Sequence, residues 1–203
     1  MYLKKNILII CIYIILLLLN KNYYWWYPSI NTNLLCYGKS YPNYKNEINI
    51  MMKEYIFKRT QSDIDFFYLT DNDIIIAFKD VIQENELKKD EMKQIIQSST
   101  IINIIMLYKY IYNRARPSQV APNIINKING ILLDSKSAAT PSYPSGHAFQ
   151  AYYLARILIK KFPKKKEELI KIADRISNAR IIAGLHYPSD KFFAYWLVDN
   201  ILF

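Results

Sequence analysis

A chain of 203 residues is long enough for one ordinary domain and too short for two large ones. Hydrophobic residues make up 52% of it and charged residues 22%, which excludes general disorder. The formal net charge is +10, with most of the excess after residue 100, and this indicates an anionic partner such as a phosphate ester, a lipid headgroup or a nucleic acid. The two cysteines, Cys11 and Cys36, form no CxxC pair, so they predict neither a zinc site nor a disulfide framework.

The N-terminal segment combines a short basic start with an uncharged apolar run. Lys4 and Lys5 precede residues 7–19, which carry no charge, as in a secretory signal. This run is shorter than the roughly 20 residues of a membrane-spanning helix, and no small-x-small cleavage site follows it. We therefore expect residues 1–22 to be a cleaved signal peptide or an uncleaved signal-anchor, with residues 23–203 as one domain. The protein would be exported (secreted or periplasmic) or anchored to the membrane by this segment.

The first half of that domain predicts helices separated by polar breaks. Residues 47–59 carry apolar side chains at helical spacing. Thr70 is expected to cap a helix that starts at Asp71. Residues 84–112 predict one long helix or two short ones, and Pro117 is expected to stop it.

The second half predicts a connection followed by three helices. Residues 117–144 contain four prolines and a glycine and are expected to form a loop. Helices are expected over residues 146–162, 164–185 and 189–202. No strand alternation is visible, so the sequence predicts an all-α fold, a single-domain helical bundle.

Three segments carry residues suited to chemistry, and the first is Lys109-x6-Arg116-Pro117. Basic side chains are common near the end of a helix because they interact favourably with its dipole. Alone, this segment therefore favours a structural role. Arg114 lies beside it and is expected to be a solvated charge at the helix end.

The second segment is Ser142-Tyr143-Pro144-Ser145-Gly146-His147. Ser145 is expected to be the N-cap of a helix, and Gly146 lets an anion approach the backbone closely. Free N–H groups at a helix start bind phosphate, and His147 would face that anion from the first turn. The alternative is a capped helix with an incidental histidine.

The third segment is Arg180-x5-His186-x3-Asp190. Asp190 is expected to hydrogen-bond one nitrogen of His186, which leaves the other nitrogen as a nucleophile or base. Arg180 offers a planar, permanently charged fork for phosphate oxygens. A surface ion pair would also explain this segment alone, but both histidines of the chain fall within the second and third segments.

Together, in this order, the segments resemble the signature of the type 2 phosphatidic acid phosphatase (PAP2) and vanadium haloperoxidase superfamily: K-x6-RP, PSGH and R-x5-H-x3-D. The resemblance spans residues 109–190 and is specific as a set. The Ser-Tyr-Pro-Ser-Gly-His string and the single N-terminal apolar segment are similar to the bacterial class A non-specific acid phosphatases rather than to the multi-span lipid phosphatases.

The resemblance implies a metal-independent phosphomonoesterase, similar to an acid phosphatase, that works through a phosphohistidine intermediate. In it His186 would be the nucleophile, Asp190 its orienting carboxylate and His147 the general acid. The residues implied to hold the phosphoryl oxygens are Lys109, Arg116, Ser145, Gly146 and Arg180. No cofactor is implied, and vanadate is expected to inhibit. The implied partner is a phosphate ester, either a small molecule or a lipid phosphate, with no nucleic acid and with membrane contact through residues 1–22.

The chain departs from the family pattern at two places. Ala179 stands where the family usually has a serine, which the resemblance implies is a phosphate-oxygen donor, so we expect binding weakened by about 0.5–1.5 kcal/mol. Phe192 and Phe193 stand where a small residue is common, which we expect to alter helix packing. Two other functions fit the residues: a vanadium-dependent haloperoxidase, and a degenerate, non-catalytic module that binds phosphate or a membrane surface.

Overall fold

The computed structural model describes residues 42–79, 81–83, 87–123 and 131–203. These residues form helices and connections with no strand among them, which confirms the predicted all-α fold. The predicted signal segment, residues 1–22, lies outside the described part of the chain, as do Cys11 and Cys36. Among the helices that are described, none has the length and apolar character needed to cross a membrane.

The elements follow one another with short connections. In chain order, the α-helices of the described residues are α1 (Tyr44–Ile50), α2 (Gln61–Asp71), α3 (Lys89–Gln97), α4 (Ser99–Tyr112), α5 (Pro117–Val120), α6 (Gly146–Lys161), α7 (Lys166–Ile182) and α8 (Pro188–Leu197). Two π-helical segments, Met51–Ile56 and Val198–Leu202, extend α1 and α8. Short 3-10 helices occupy Ile74–Phe78, Ala121–Asn123, Lys136–Ala139 and Pro163–Lys165.

Helix α6 lies at the centre of the packing and contacts α3, α4, α7 and α8. Its buried face includes small residues that let neighbouring helices approach closely, with Ala148, Ala151 and Ala155 all fully buried. Larger side chains such as Leu154 and Leu158 fill the same core between them. Because α6 begins with the second motif and α7 and α8 flank the third, this packing brings the two histidine segments together.

Helix α2 begins at a capping box that the sequence analysis missed. The Thr60 hydroxyl accepts from the backbone N–H of Asp63, and the Asp63 carboxylate accepts from the N–H of Thr60 at 2.8 Å. The prediction that Thr70 caps a helix starting at Asp71 is therefore wrong. Thr70 lies buried in the last turn of α2 and donates to the carbonyl of Phe66 at 2.8 Å.

Residues 87–112, the described part of the predicted helical region 84–112, contain two helices, as in the second of the two alternatives. The extended backbone of Ser98 (ψ 144°) separates α3 from α4. Asn113, in the left-handed region at φ 40°, ends α4 and donates its N–H to the carbonyl of Lys109. Pro117 does not stop this helix: it begins α5, at a position where its missing N–H costs nothing.

The last three helices agree with their predicted positions to within a few residues. Ser145 caps α6 as predicted, since its hydroxyl accepts from the N–H of Ala148. Helix α7 is followed by Gly184, whose φ of 74° suits glycine. A Cβ there would lie 2.3 Å from Cδ2 of Leu132. This tight turn leads the chain directly to His186.

The two phenylalanines of α8 differ in environment. Phe193 is 5% exposed, and its ring stacks on Tyr143 with centroids 4.3 Å apart and contacts Tyr112 edge-on at 5.2 Å. Phe192 is 62% exposed. The large side chain at position 193 is thus accommodated by aromatic partners from the first two motif regions.

Candidate active site

The three motif segments meet at one cavity of about 140 Å³. That volume is below the roughly 300–1,000 Å³ of pockets for drug-sized ligands. Five predicted site residues line it, namely Lys109, Arg116, Gly146, His147 and His186. The remaining lining residues are Ile102, Ile105, Met106, Ser137, Thr140 and Gln150.

Two of the lining cations are held by backbone carbonyls. Lys109, in the last turn of α4, is 3% exposed and donates from Nζ to the carbonyl of Pro141. Arg116 donates from Nε to the Thr140 carbonyl at 2.7 Å and from Nη1 to the Leu185 carbonyl at 2.9 Å. The protein's own backbone therefore holds both side chains in place, which favours electrostatic preorganisation.

The start of α6 completes the cavity wall. A Cβ at Gly146 would lie 3.9 Å from Cε of Lys109, so the glycine leaves space beside that lysine. Ser145 is buried behind it as the N-cap. The first turn of α6 thus presents the arrangement that binds anions at helix N-termini.

His186 and Asp190 form the hydrogen bond that their spacing predicts. Nδ1 of His186 lies 3.0 Å from Oδ2 of Asp190, and Nε2 lies 3.3 Å from Nη1 of Arg116. A guanidinium only donates, so Nε2 must accept, and the ring proton lies on Nδ1 facing the carboxylate. The lone pair of Nε2 therefore accepts from Arg116 in the cavity that both side chains line, and it can act as a nucleophile once that donor turns to another acceptor.

Asp190 is fixed by more partners than the sequence indicated. Its Oδ2 also accepts from Oγ of Ser142 at 2.5 Å and from the N–H of Tyr187 at 2.9 Å. Its Oδ1 accepts from Nη1 of Arg114 at 2.6 Å. The expectation that Arg114 is a solvated charge is wrong, because its side chain is fully buried and also pairs with Glu47.

Arg180 and His147 both hydrogen-bond to Asp71, a residue outside the three motif segments. Arg180 donates to Oδ1 of Asp71 at 2.5 Å and to Oγ of Ser137 at 2.7 Å. Nε2 of His147 lies 2.9 Å from the backbone carbonyl of Asp71. A carbonyl only accepts, so Nε2 of His147 carries a proton and Nδ1 is the nitrogen that can gain one.

Burial, together with the neighbouring cations, lowers the pKa of three groups in the site. Burial, followed by the charge of Arg116, lowers the pKa of both Lys109 and His186 well below their ordinary values. Burial, followed by the charge of Arg180, lowers the pKa of His147 to about 3. Each of these shifts would be relieved by an anion in the cavity, because negative charge favours the protonated forms.

Ala179 lies away from this cavity. Its side chain is buried against Phe67, Ala183 and Leu185, and it borders a separate groove of about 410 Å³. Because this side chain packs in the core, we now expect a serine here to make no contact with phosphate, contrary to the expectation from the sequence. Arg180 is likewise absent from the cavity lining. Adjacent helical residues point about 100° apart, so position 179 faces the core while Arg180 pairs with Asp71.

The described residues contain no group of three or more His, Cys, Asp or Glu side chains placed to hold a metal ion. Charged partners that the sequence reading missed are Glu47, Asp71 and the buried Arg114. Each hydrogen-bonds to a partner at least 60 residues away in the chain, and no local sequence pattern predicts such pairs.

Comparison with known proteins supports the resemblance at the level of the superfamily. No curated protein matches the chain. The family model described as the PAP2 superfamily matches residues 94–197, just over half of the chain and the part that carries all three motifs. On that match, and with an all-α fold that brings five of the eight predicted site residues to one cavity, the chain belongs to the PAP2 superfamily, whose members generally hydrolyse phosphate esters.

Proposed function

We propose that the protein is a metal-independent phosphomonoesterase, of the acid phosphatase type, that hydrolyses a phosphate ester through a phosphohistidine at His186. The observation that carries this proposal is the state of the His186 ring. Its Nδ1–H faces Asp190, and its Nε2 lone pair lies beside Arg116 at the cavity wall. A binding site alone needs no such nucleophile with an orienting carboxylate.

In the first step, Nε2 of His186 attacks phosphorus, and the bond from phosphorus to the ester oxygen breaks. The positive charge that develops on the imidazole is stabilised by Asp190 through Nδ1–H. His147, protonated on Nδ1 once the anion is bound, gives that proton to the departing oxygen. It returns to the neutral form whose Nε2–H donates to Asp71.

In the second step, water attacks the phosphohistidine and releases inorganic phosphate. His147 now accepts the proton of that water, and the bond from Nε2 to phosphorus breaks. Throughout, fixed cations stabilise the equatorial oxygens of phosphorus. The residues proposed for this role are Lys109, Arg116, Arg180 and the Ser145–Gly146 start of α6.

The cations that line the cavity support a phosphoryl group as the bound part of the substrate, and they do not specify the alcohol part of the ester. Both a small-molecule ester and a lipid phosphate fit the proposal, and orthovanadate is expected to inhibit as a transition-state mimic. The non-catalytic module that binds phosphate or a membrane surface stays the alternative. Export, or anchoring through residues 1–22, stays a prediction.

The test is phosphate release by the full chain in the presence of EDTA, with one good and one poor leaving group. We expect wild type to hydrolyse both p-nitrophenyl phosphate and an alkyl phosphate, with inhibition by vanadate. His186→Ala should lose activity on both substrates. His147→Ala should lose far more activity on the alkyl phosphate than on the p-nitrophenyl ester, because only a poor leaving group needs a proton.

Trapping the intermediate separates the two histidines further. A phosphoramidate bond is stable to base, so an alkaline quench with labelled substrate should retain label on wild type and none on His186→Ala. His147→Ala should accumulate label, since it lacks the base that activates water. Activity that EDTA abolishes, or that persists in His186→Ala, would count against the proposal.

A further inference from the structure

We propose that Glu47 and Arg114 are positioning residues for His186: together they set the orientation and effective charge of Asp190, and thereby the reactivity of the imidazole. The kinetic part of this inference rests on the proposed function. Its spectroscopic part does not, because the state of His186 can be measured without turnover.

Arg114 contacts the carboxylate oxygen that His186 does not use. Its Nη1 donates to Oδ1 of Asp190 at 2.6 Å, while His186, Ser142 and the Tyr187 N–H all bond Oδ2. Burial raises the pKa of Asp190, and the charge of Arg114 is the foremost influence opposing that rise. Arg114 thus helps to keep this buried carboxylate ionised as well as oriented.

Arg114 is in turn held by Glu47, on α1. Nη2 of Arg114 lies 3.1 Å from Oε2 of Glu47, and that oxygen also accepts from the N–H and Oγ of Ser189. The guanidinium lies 3.9 Å from the ring centroid of Tyr187. Two of these side chains, Arg114 and Tyr187, are fully buried and Glu47 is 4% exposed, so the pair acts with little screening by solvent.

The network places two carboxylates on one guanidinium. If Arg114 were paired with Asp190 alone, its positive charge would offset most of the negative charge with which Asp190 stabilises the His186 imidazolium. Sharing Arg114 with Glu47 leaves Asp190 more of its negative charge. Glu47 lies outside residues 94–197, the range that matches the superfamily model, so α1 contributes to a site whose three motifs all lie elsewhere.

His186 is surrounded mainly by cationic groups, so it depends on the negative charge of Asp190. Burial lowers the pKa of His186 most, and the charges of Arg116, Lys109 and Arg180 lower it further, with a smaller effect from His147. Against these, Asp190 is the carboxylate in contact with the ring. The protonated form of His186 is already unfavourable, so a change in the effective charge of Asp190 should alter its stability measurably.

The test compares Glu47→Gln with Glu54→Gln in the full chain. Glutamine keeps one acceptor oxygen for Arg114 and Ser189 at position 47, removes the charge, and replaces the other oxygen with an amide NH2. Glu54 pairs with Lys58 at the surface and provides the matched control. With two histidines in the chain, ¹⁵N imidazole spectra resolve His186 directly, and His147→Gln assigns the signals.

For Glu47→Gln we expect the Nδ1–H resonance of His186 to move upfield, because Asp190 becomes a weaker acceptor. The kcat should fall roughly tenfold, with KM within about twofold of wild type. The acid limb of kcat/KM should move to lower pH, because a less stabilised imidazolium loses its proton at lower pH. Glu54→Gln should change none of these quantities.

An unchanged imidazole spectrum and acid limb in Glu47→Gln, with only a lower melting temperature, would overturn the proposal and leave Glu47 a structural partner. If Glu47→Gln does not fold, Arg114→Lys is measured instead: it keeps the cation, loses the two-pronged geometry, and should also disturb the Nδ1–H signal. An undisturbed signal there overturns the proposal equally. A shifted spectrum in a chain without phosphatase activity would instead reject the proposed function and leave the positioning intact.

Discussion

Asp71 and Arg180 are joined by a 2.5 Å hydrogen bond between Oδ1 and Nη1, which ties the end of α2 to the last turn of α7. The same aspartate accepts at its backbone carbonyl from the ring of His147. Ser135 and Ser137, from the connection before the second motif, also donate to its carboxylate. One residue outside the motifs thus positions a proposed phosphate-binding arginine and the proposed general acid.

Asp71→Asn should lower the free energy of unfolding by about 1–3 kcal/mol at pH 7. Burial raises the pKa of Asp71, but hydrogen bonds from Ser135 and Arg180 outweigh this and lower it overall. A lowered pKa in the folded state stabilises the fold above the unfolded value of about 4, and this contribution is lost as pH falls through the folded pKa. Urea unfolding at pH 7 and below pH 4 should show the difference between variant and wild type shrinking on acidification. The exposed Asp65→Asn, on the same helix, should differ from wild type by less than about 0.5 kcal/mol.

His147 should gain a proton when an anion occupies the cavity. Burial and then the charge of Arg180 hold its pKa at about 3, so it is neutral at pH 6. A bound phosphate or vanadate offsets the charge of Arg180 and should raise that pKa. Imidazole ¹⁵N spectra at pH 6 should change from one protonated nitrogen to two on addition of vanadate. If the ring stays neutral in the saturated complex, its assignment as general acid is wrong.

Ala179→Ser should leave kcat/KM within about twofold of wild type and alter stability by no more than about 1 kcal/mol. The side chain at 179 packs on Phe67 and Leu185, and a serine hydroxyl there can bond the carbonyl one turn earlier on its own helix. Steady-state kinetics and thermal unfolding of the variant test both statements. A marked gain in phosphate affinity would show that position 179 reaches the cavity after all.

The motif spacing predicted the contacts that are local to one helix end or one tight turn. His186 and Asp190 are four residues apart across the start of α8, so their hydrogen bond follows almost directly from the chain. Ser145 as a cap was readable for the same reason. The motif pattern did not predict the direction in which the Ala179 side chain points, since adjacent residues on a helix diverge by about 100°.

The charge network behind the site was not readable from the sequence, for a physical reason. Glu47 and Arg114 are 67 residues apart in the chain, and their pairing depends on how α1 packs beside α8. By contrast, the Thr60-x-x-Asp63 capping box was a local signal available in the sequence, and reading Thr70 as the cap overlooked it. Local chemistry is visible in a sequence, whereas partners across the fold become visible only in the packing.

Phe193→Ala should lower the free energy of unfolding by about 3–5 kcal/mol, and Phe192→Ala should change it by less than about 1 kcal/mol. The first ring packs against both Tyr143 and Tyr112, and its loss leaves a cavity directly against the loop that carries the second motif. The second ring is mostly in water, so its removal exposes little that was buried. Urea unfolding of the two variants, with wild type measured alongside, tests this pair. Equal losses would mean that Phe192 is covered in solution, and a small loss at Phe193 would mean that Tyr143 and its neighbours close over the cavity.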